Sequence, residues 1–142
     1  MSTFSVDPSK LEELLNCCLG FAKHLVESHG AFHPFGAMLL SSGTVTAVGA
    51  SIGEEHPHGA AVFQFLQNTM RAKFQKREIV AASIATDVNI PPEYEPYFPD
   101  GIRVLLECPG YSRFIYLPYL VTDGRAEYGE FIPIDAPASI CL

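Results

Sequence analysis

Two apolar runs, IRVLLEC (102–108) and SRFIYLPYLV (112–121), are separated by little more than Pro109-Gly110. So short a link leaves no room for the crossover that parallel strands need, so the two runs must pair antiparallel. Proline followed by glycine suits the central positions of a type II turn, since glycine accepts the positive φ that such a turn requires. The same reasoning applies to FHPFGAMLL (32–40) and TVTAVGAS (44–51), joined by Ser41-Ser42-Gly43, which predict a β-hairpin. Pro34 carries no ladder donor and is expected at the beginning of its strand or on an edge. A further turn at Thr122-Asp123-Gly124 leads into AEYGEFIPI (126–134), and residues 79–88 alternate as another strand of mostly small side chains.

Two segments have helical periodicity instead. Leu11, Leu14, Leu15, Cys18, Leu19, Ala22, Leu25 and Val26 recur at three- and four-residue steps, which places one apolar stripe on a helix over about 8–29. Asp7 is suited to N-cap it, Pro8 fits the first helical position, and Gly30 offers a left-handed exit. After the turn EEHPHG (54–59), Val62, Phe65, Leu66, Thr69, Met70 and Lys73 form a second stripe, broadened by Phe63 and Phe74. The order α-β-β-α-β-β-β(-β) predicts a single α+β domain over 1–142. Its expected core is one antiparallel sheet of about five or six strands with helices on one or both faces.

That order is similar in topology to roadblock and profilin-like domains, without the third helix of the roadblock type. FHPFGAMLL, EEHPHGAAVFQFLQNTMR and the IRVLLEC…YLPYLV…EYGEF tail resemble a group of small bacterial proteins without an assigned activity. The resemblance therefore implies no site residue, and function has to be argued from the residues themselves.

Charge and composition narrow the classes. A net charge of −7 with nine Lys and Arg speaks against nucleic-acid binding, which depends on neutralising phosphates. It suits a basic protein partner better. No stretch approaches the ~20 apolar residues of a membrane span, and MSTFSVDPSKLEELL lacks the pattern of a secretory signal, so a cytoplasmic location is expected. Cys17, Cys18, Cys108 and Cys141 show no CxxC spacing and are expected as reduced thiols, with Cys18 in the core.

Two sets of residues could carry chemistry. His56 and His58, with His33 and Cys108 brought near by the fold, would form a zinc site for a metal-dependent hydrolase-like enzyme. Their spacing matches no HExxH or CxxC pattern. A deaminase would need a Glu two residues after the histidine, where Ala60 stands, and a cysteine pair where ECPG supplies one. Glu54, Glu55 and Pro57 are better read as an acidic lead-in to a helix, with both histidines exposed, and the metal site is the alternative.

The second set is aromatic. PPEYEPYFPDG (91–101), with four prolines in its first nine residues, reads as a loop carrying Tyr94, Tyr97 and Phe98. Alternation puts Tyr116 and Tyr119 on opposite faces of one strand. Exposed tyrosines are favoured interface anchors. The expected function is thus a non-catalytic protein-interaction or regulatory module without a cofactor, of the adaptor or immunity type. It would bind a protein partner or a second copy through Tyr94, Tyr97, Phe98, Tyr116 and Tyr119.

Overall fold

The first helix forms where its local signals put it. In the computed structural model, which describes residues 6–49 and 59–142, α1 spans Pro8–His29. The Asp7 carboxylate accepts from the Ser9 N–H at 2.9 Å, and Gly30 leaves the helix with φ 78° while its N–H donates to the Val26 carbonyl. Both devices satisfy backbone groups that a helix end leaves without partners.

The strands follow the turns. The order is β1 (Phe35–Leu40), β2 (Val45–Val48), α2 (Gly59–Gln75), β3 (Ile79–Asn89), β4 (Asp100–Cys108), β5 (Tyr111–Thr122), β6 (Arg125–Tyr128) and β7 (Ile132–Asp135), with a single 3₁₀ turn at Pro92–Tyr94. All neighbours pair antiparallel in the order β2-β1-β3-β4-β5-β6, and β7 pairs with β5 beyond the end of β6. Pro34 stands just before β1, where its missing N–H costs no ladder bond. At the β5–β6 hairpin, Asp123 and Gly124 both have positive φ (51° and 76°), the signature of a type I′ turn.

AEYGEFIPI was expected as one strand and is two. Leu117 and Pro118 face three residues, 129–131, between the Tyr119–Tyr128 and Tyr116–Ile132 pairs. One residue is therefore extra, a bulge. Its position has a cause: Pro118 offers no N–H on that side, so only its carbonyl is used, by the Gly129 N–H at 2.9 Å.

The sheet is covered on both faces. On one face α1 lays Leu14, Cys18, Ala22 and Val26 over Ala37, Leu39, Ala81, Ala85, Val104 and Leu106. On the other, α2 lays Val62, Leu66 and Met70 over Met38, Ala82, Ile84 and Leu105. Phe65, read as part of that stripe, is 43% exposed, because the buried residues of α2 step strictly by four and leave it to the side. Small residues on β1 and β3 let the helices approach: a Cβ at Gly36 would lie 2.5 Å from Met70 Cε and 2.6 Å from the Ser83 carbonyl oxygen. Among the described residues no helix is long and apolar enough to cross a membrane.

The C-terminal segment completes the α2 face. Glu107, fully buried, accepts from the backbone N–H groups of Ser139 (2.9 Å), Ile140 (2.8 Å) and Cys141 (2.8 Å). Arg71 Nε donates to the Ser139 carbonyl at 2.7 Å, tying the same turn to α2. A buried carboxylate is tolerable only with such a set of donors.

Candidate functional site

Four prolines stiffen the loop between β3 and β4, and two glycines decide where it rests. Ile90 is buried over Gly101, where a Cβ would meet Ile90 Cδ1 at 2.5 Å, and the Ile90 N–H donates to the Pro99 carbonyl at 2.7 Å. The loop is thereby pinched shut at its base. Its far side lies on the β6–β7 bulge: a Cβ at Gly129 would sit 3.1 Å from Tyr97 Cβ and 3.3 Å from Pro118 Cβ. Glycine at the bulge lets the loop backbone come down onto the sheet edge.

Where these two features meet, a cleft of about 450 Å³ opens, bordered by Tyr94, Glu95, Tyr97, Tyr128, Glu130, Phe131 and Ile132. Tyr94 packs on Tyr116 with ring centroids 5.8 Å apart, and Tyr97 stands edge-on to Phe98 at 4.7 Å. Tyr97 is 80% exposed and Phe131 50%. Exposed apolar groups gathered in one place, unlike ones scattered singly, mark interaction surfaces. Glu95 holds a left-handed conformation (φ 50°) at the end of the 3₁₀ turn, and its N–H closes on the Pro92 carbonyl at 3.0 Å. The cleft border has two carboxylates and no basic side chain.

The structure brings together some of the aromatic set and separates the rest. Tyr94, Tyr97 and Phe98 share the loop, and Tyr116 lies buried beneath Tyr94 on the α2 face. Tyr119 belongs to the α1 face: it is buried, and its hydroxyl donates to Asp87 Oδ1 at 2.7 Å. Burial raises the Asp87 carboxyl above its usual range, against the lowering effect of bonds from Tyr119 and the Phe32 N–H. Burial and the neighbouring Asp87 hold the Tyr119 phenol firmly protonated. Tyr119 thus locks β5 to β3 through a hydrogen bond inside the fold.

The histidine and cysteine set is differently placed. His56 and His58 lie outside the described residues. His33 borders an apolar hollow of about 510 Å³ with Phe21, Leu25 and Phe35. Cys108 is level with Leu39 through the Ala81 and Ala82 pairings, at the other end of β1. At least about 13 Å of strand therefore separates it from His33. Burial raises the Cys108 thiol, the reverse of what a metal-binding thiolate needs. Among the described residues no group of three or more His, Cys, Asp or Glu side chains could hold a metal ion.

The far wall of the cleft (Tyr128, Glu130, Phe131 and Ile132) was not read from the sequence. A signal existed in Gly129, since an interior glycine in a strand marks a bulge or a close backbone approach. With this geometry in hand, comparison with known proteins gave no matching family, curated protein or solved structure.

Proposed function

We propose that the protein is a non-catalytic interaction module that binds a basic segment of a protein partner in the cleft between the 91–101 loop and the β6–β7 edge. The supporting observation is the concentration of exposed rings, Tyr97 at 80% and Phe131 at 50%, around Glu95 and Glu130 on a molecule whose sheet is covered on both faces. Aromatic anchors in a hollow provide affinity, and the carboxylates select cationic residues beside them. With a charge of −7 on each chain, two copies repel, which favours a basic partner over self-association.

The test uses a photo-crosslinking phenylalanine analogue at position 97, with position 65, exposed on α2 and outside the cleft border, as control. A single protein species captured from position 97, absent at position 65 and lost with F131A, supports the reading. Equal capture at both positions, or none at 97, overturns it. Elemental analysis of tag-free protein separates this module from a metal-dependent hydrolase. Stoichiometric zinc that disappears on replacing His56 and His58 would sink the non-catalytic reading.

A further inference from the structure

A second hollow, of about 440 Å³, lies on the α2 face between the first turns of α2 and strands β3 and β4. Thr86 and Arg103 are direct partners in the β3–β4 register, so their side chains stand next to each other on this face. Thr86 is 8% exposed, and its hydroxyl finds no hydrogen-bond partner among the described residues. Arg103 Nε is likewise buried without a partner. The guanidinium is held between two rings, 4.4 Å from the Phe114 centroid and 5.0 Å from that of Phe63. Among the described residues, ion pairs join Lys10 to Glu13, Lys73 to Glu78 and Arg113 to Asp135, and none involves Arg103.

These features share one chemistry. A guanidinium presents a planar fork of donors, of which Nε is one tine, matched to two oxygens of a carboxylate or phosphate. Stacking between rings removes its freedom to turn away, and leaving Nε dry and unpaired carries a cost that a bound acceptor relieves. The opposite wall includes Gly59 and Ala60, the first described residues of α2. The first N–H groups of a helix lack acceptors within it and carry partial positive charge. Asp87 also borders the hollow, but alternation sends its carboxylate to the α1 face, where Tyr119 donates to it.

We infer that this hollow is a binding site for a small organic oxyanion, a carboxylate or phosphate ester, gripped by Arg103 and Thr86 against the start of α2. Its size falls within the range of about 300–1,000 Å³ common to small-molecule sites, and Phe63 provides an apolar wall for the body of the ligand. The site is distinct from the aromatic cleft and does not depend on it.

The experiment is an NMR titration of the full chain, isotopically labelled, with inorganic phosphate and separately with benzoate, at constant ionic strength. Saturable shifts of the Arg103 Nε–H resonance and of the Gly59 and Ala60 amides with either probe are expected. Saturation by phosphate alone marks a phosphate site, and by benzoate alone or more tightly a carboxylate site. R103K should weaken binding by about tenfold or more through loss of the fork. T86V is the shape-preserving control for a merely structural role. It should raise the melting temperature, by removing an unpaired buried hydroxyl, and yet weaken binding about threefold to tenfold. Unsaturable shifts spread over exposed lysines, or binding unchanged in T86V and R103K, would overturn the assignment.

Discussion

Cys18 shows how a single buried group makes stability depend on pH. It has no exposed surface, its Sγ lies 3.1 Å from the Ser83 hydroxyl, and burial pushes its thiol up to about 12 from an ordinary value of 9.0. The folded chain therefore holds this proton where the unfolded chain has released it. The contribution is complete below pH 9.0 and is lost as pH rises toward 12. Urea unfolding at stepwise pH should show stability falling through that window, and C18A should remove up to ~1.4 kcal/mol per pH unit of the slope. An unchanged slope in C18A would place the alkaline sensitivity elsewhere, as in the raised phenols of Tyr119 and Tyr128. Cys141, also pushed up to about 12, and Cys108 are buried, whereas Cys17 is half-buried. A disulfide reagent applied to the native protein should modify Cys17 first, and the other three only on unfolding.

At the scale of elements, two contacts far apart in sequence hold the least regular parts. Glu107 holds the C-terminal turn through three backbone N–H groups. E107A leaves those donors without their acceptor and should cost about 3 kcal/mol or more in unfolding free energy, with faster amide exchange at 139–141. A smaller loss, with exchange unchanged, would mean that Gln67 and Arg71 hold the turn without it. Gly129 supports the 91–101 loop, and G129A should cost about 1 kcal/mol and shift the Tyr97 ring resonances, because Tyr97 and Pro118 must give way. What was legible in the sequence follows from the range of its causes. Asp7, Pro8 and Gly30 act within one turn, so α1 could be bounded from its own residues; Pro109-Gly110 dictated antiparallel pairing just as locally. Burial of Phe65 depends on which stripe of α2 meets the sheet, and the break at Gly129 depends on Pro118 in the neighbouring strand. The aromatic loop was visible in PPEYEPYFPDG, but its opposing wall needed the fold. Arg103 was legible only as a lone cation in IRVLLEC; its two ring partners come from α2 and β5.

For the whole molecule, the described residues cover the sheet on both faces. With α1 on one side and α2 with the C-terminal turn on the other, the proposed recognition falls to the rim between the 91–101 loop and β6–β7, where Tyr97 and Phe131 stand exposed together. The rim cleft has Glu95 and Glu130 at its border, and the molecule as a whole is acidic. On the proposed reading, long-range attraction for a basic partner would be screened by salt, while contact through Tyr97 and Phe131 would not. Once position 97 has captured its partner, binding measured from about 0.05 to about 0.5 M salt should weaken chiefly through a slower association rate. E95Q with E130Q should flatten that salt dependence and leave the dissociation rate nearly unchanged, whereas Y97A should accelerate dissociation and keep the salt dependence. If the two variants alter the same rate constant to the same degree, charge and rings do not act as separate steering and anchoring elements, and the cleft is not the docking surface.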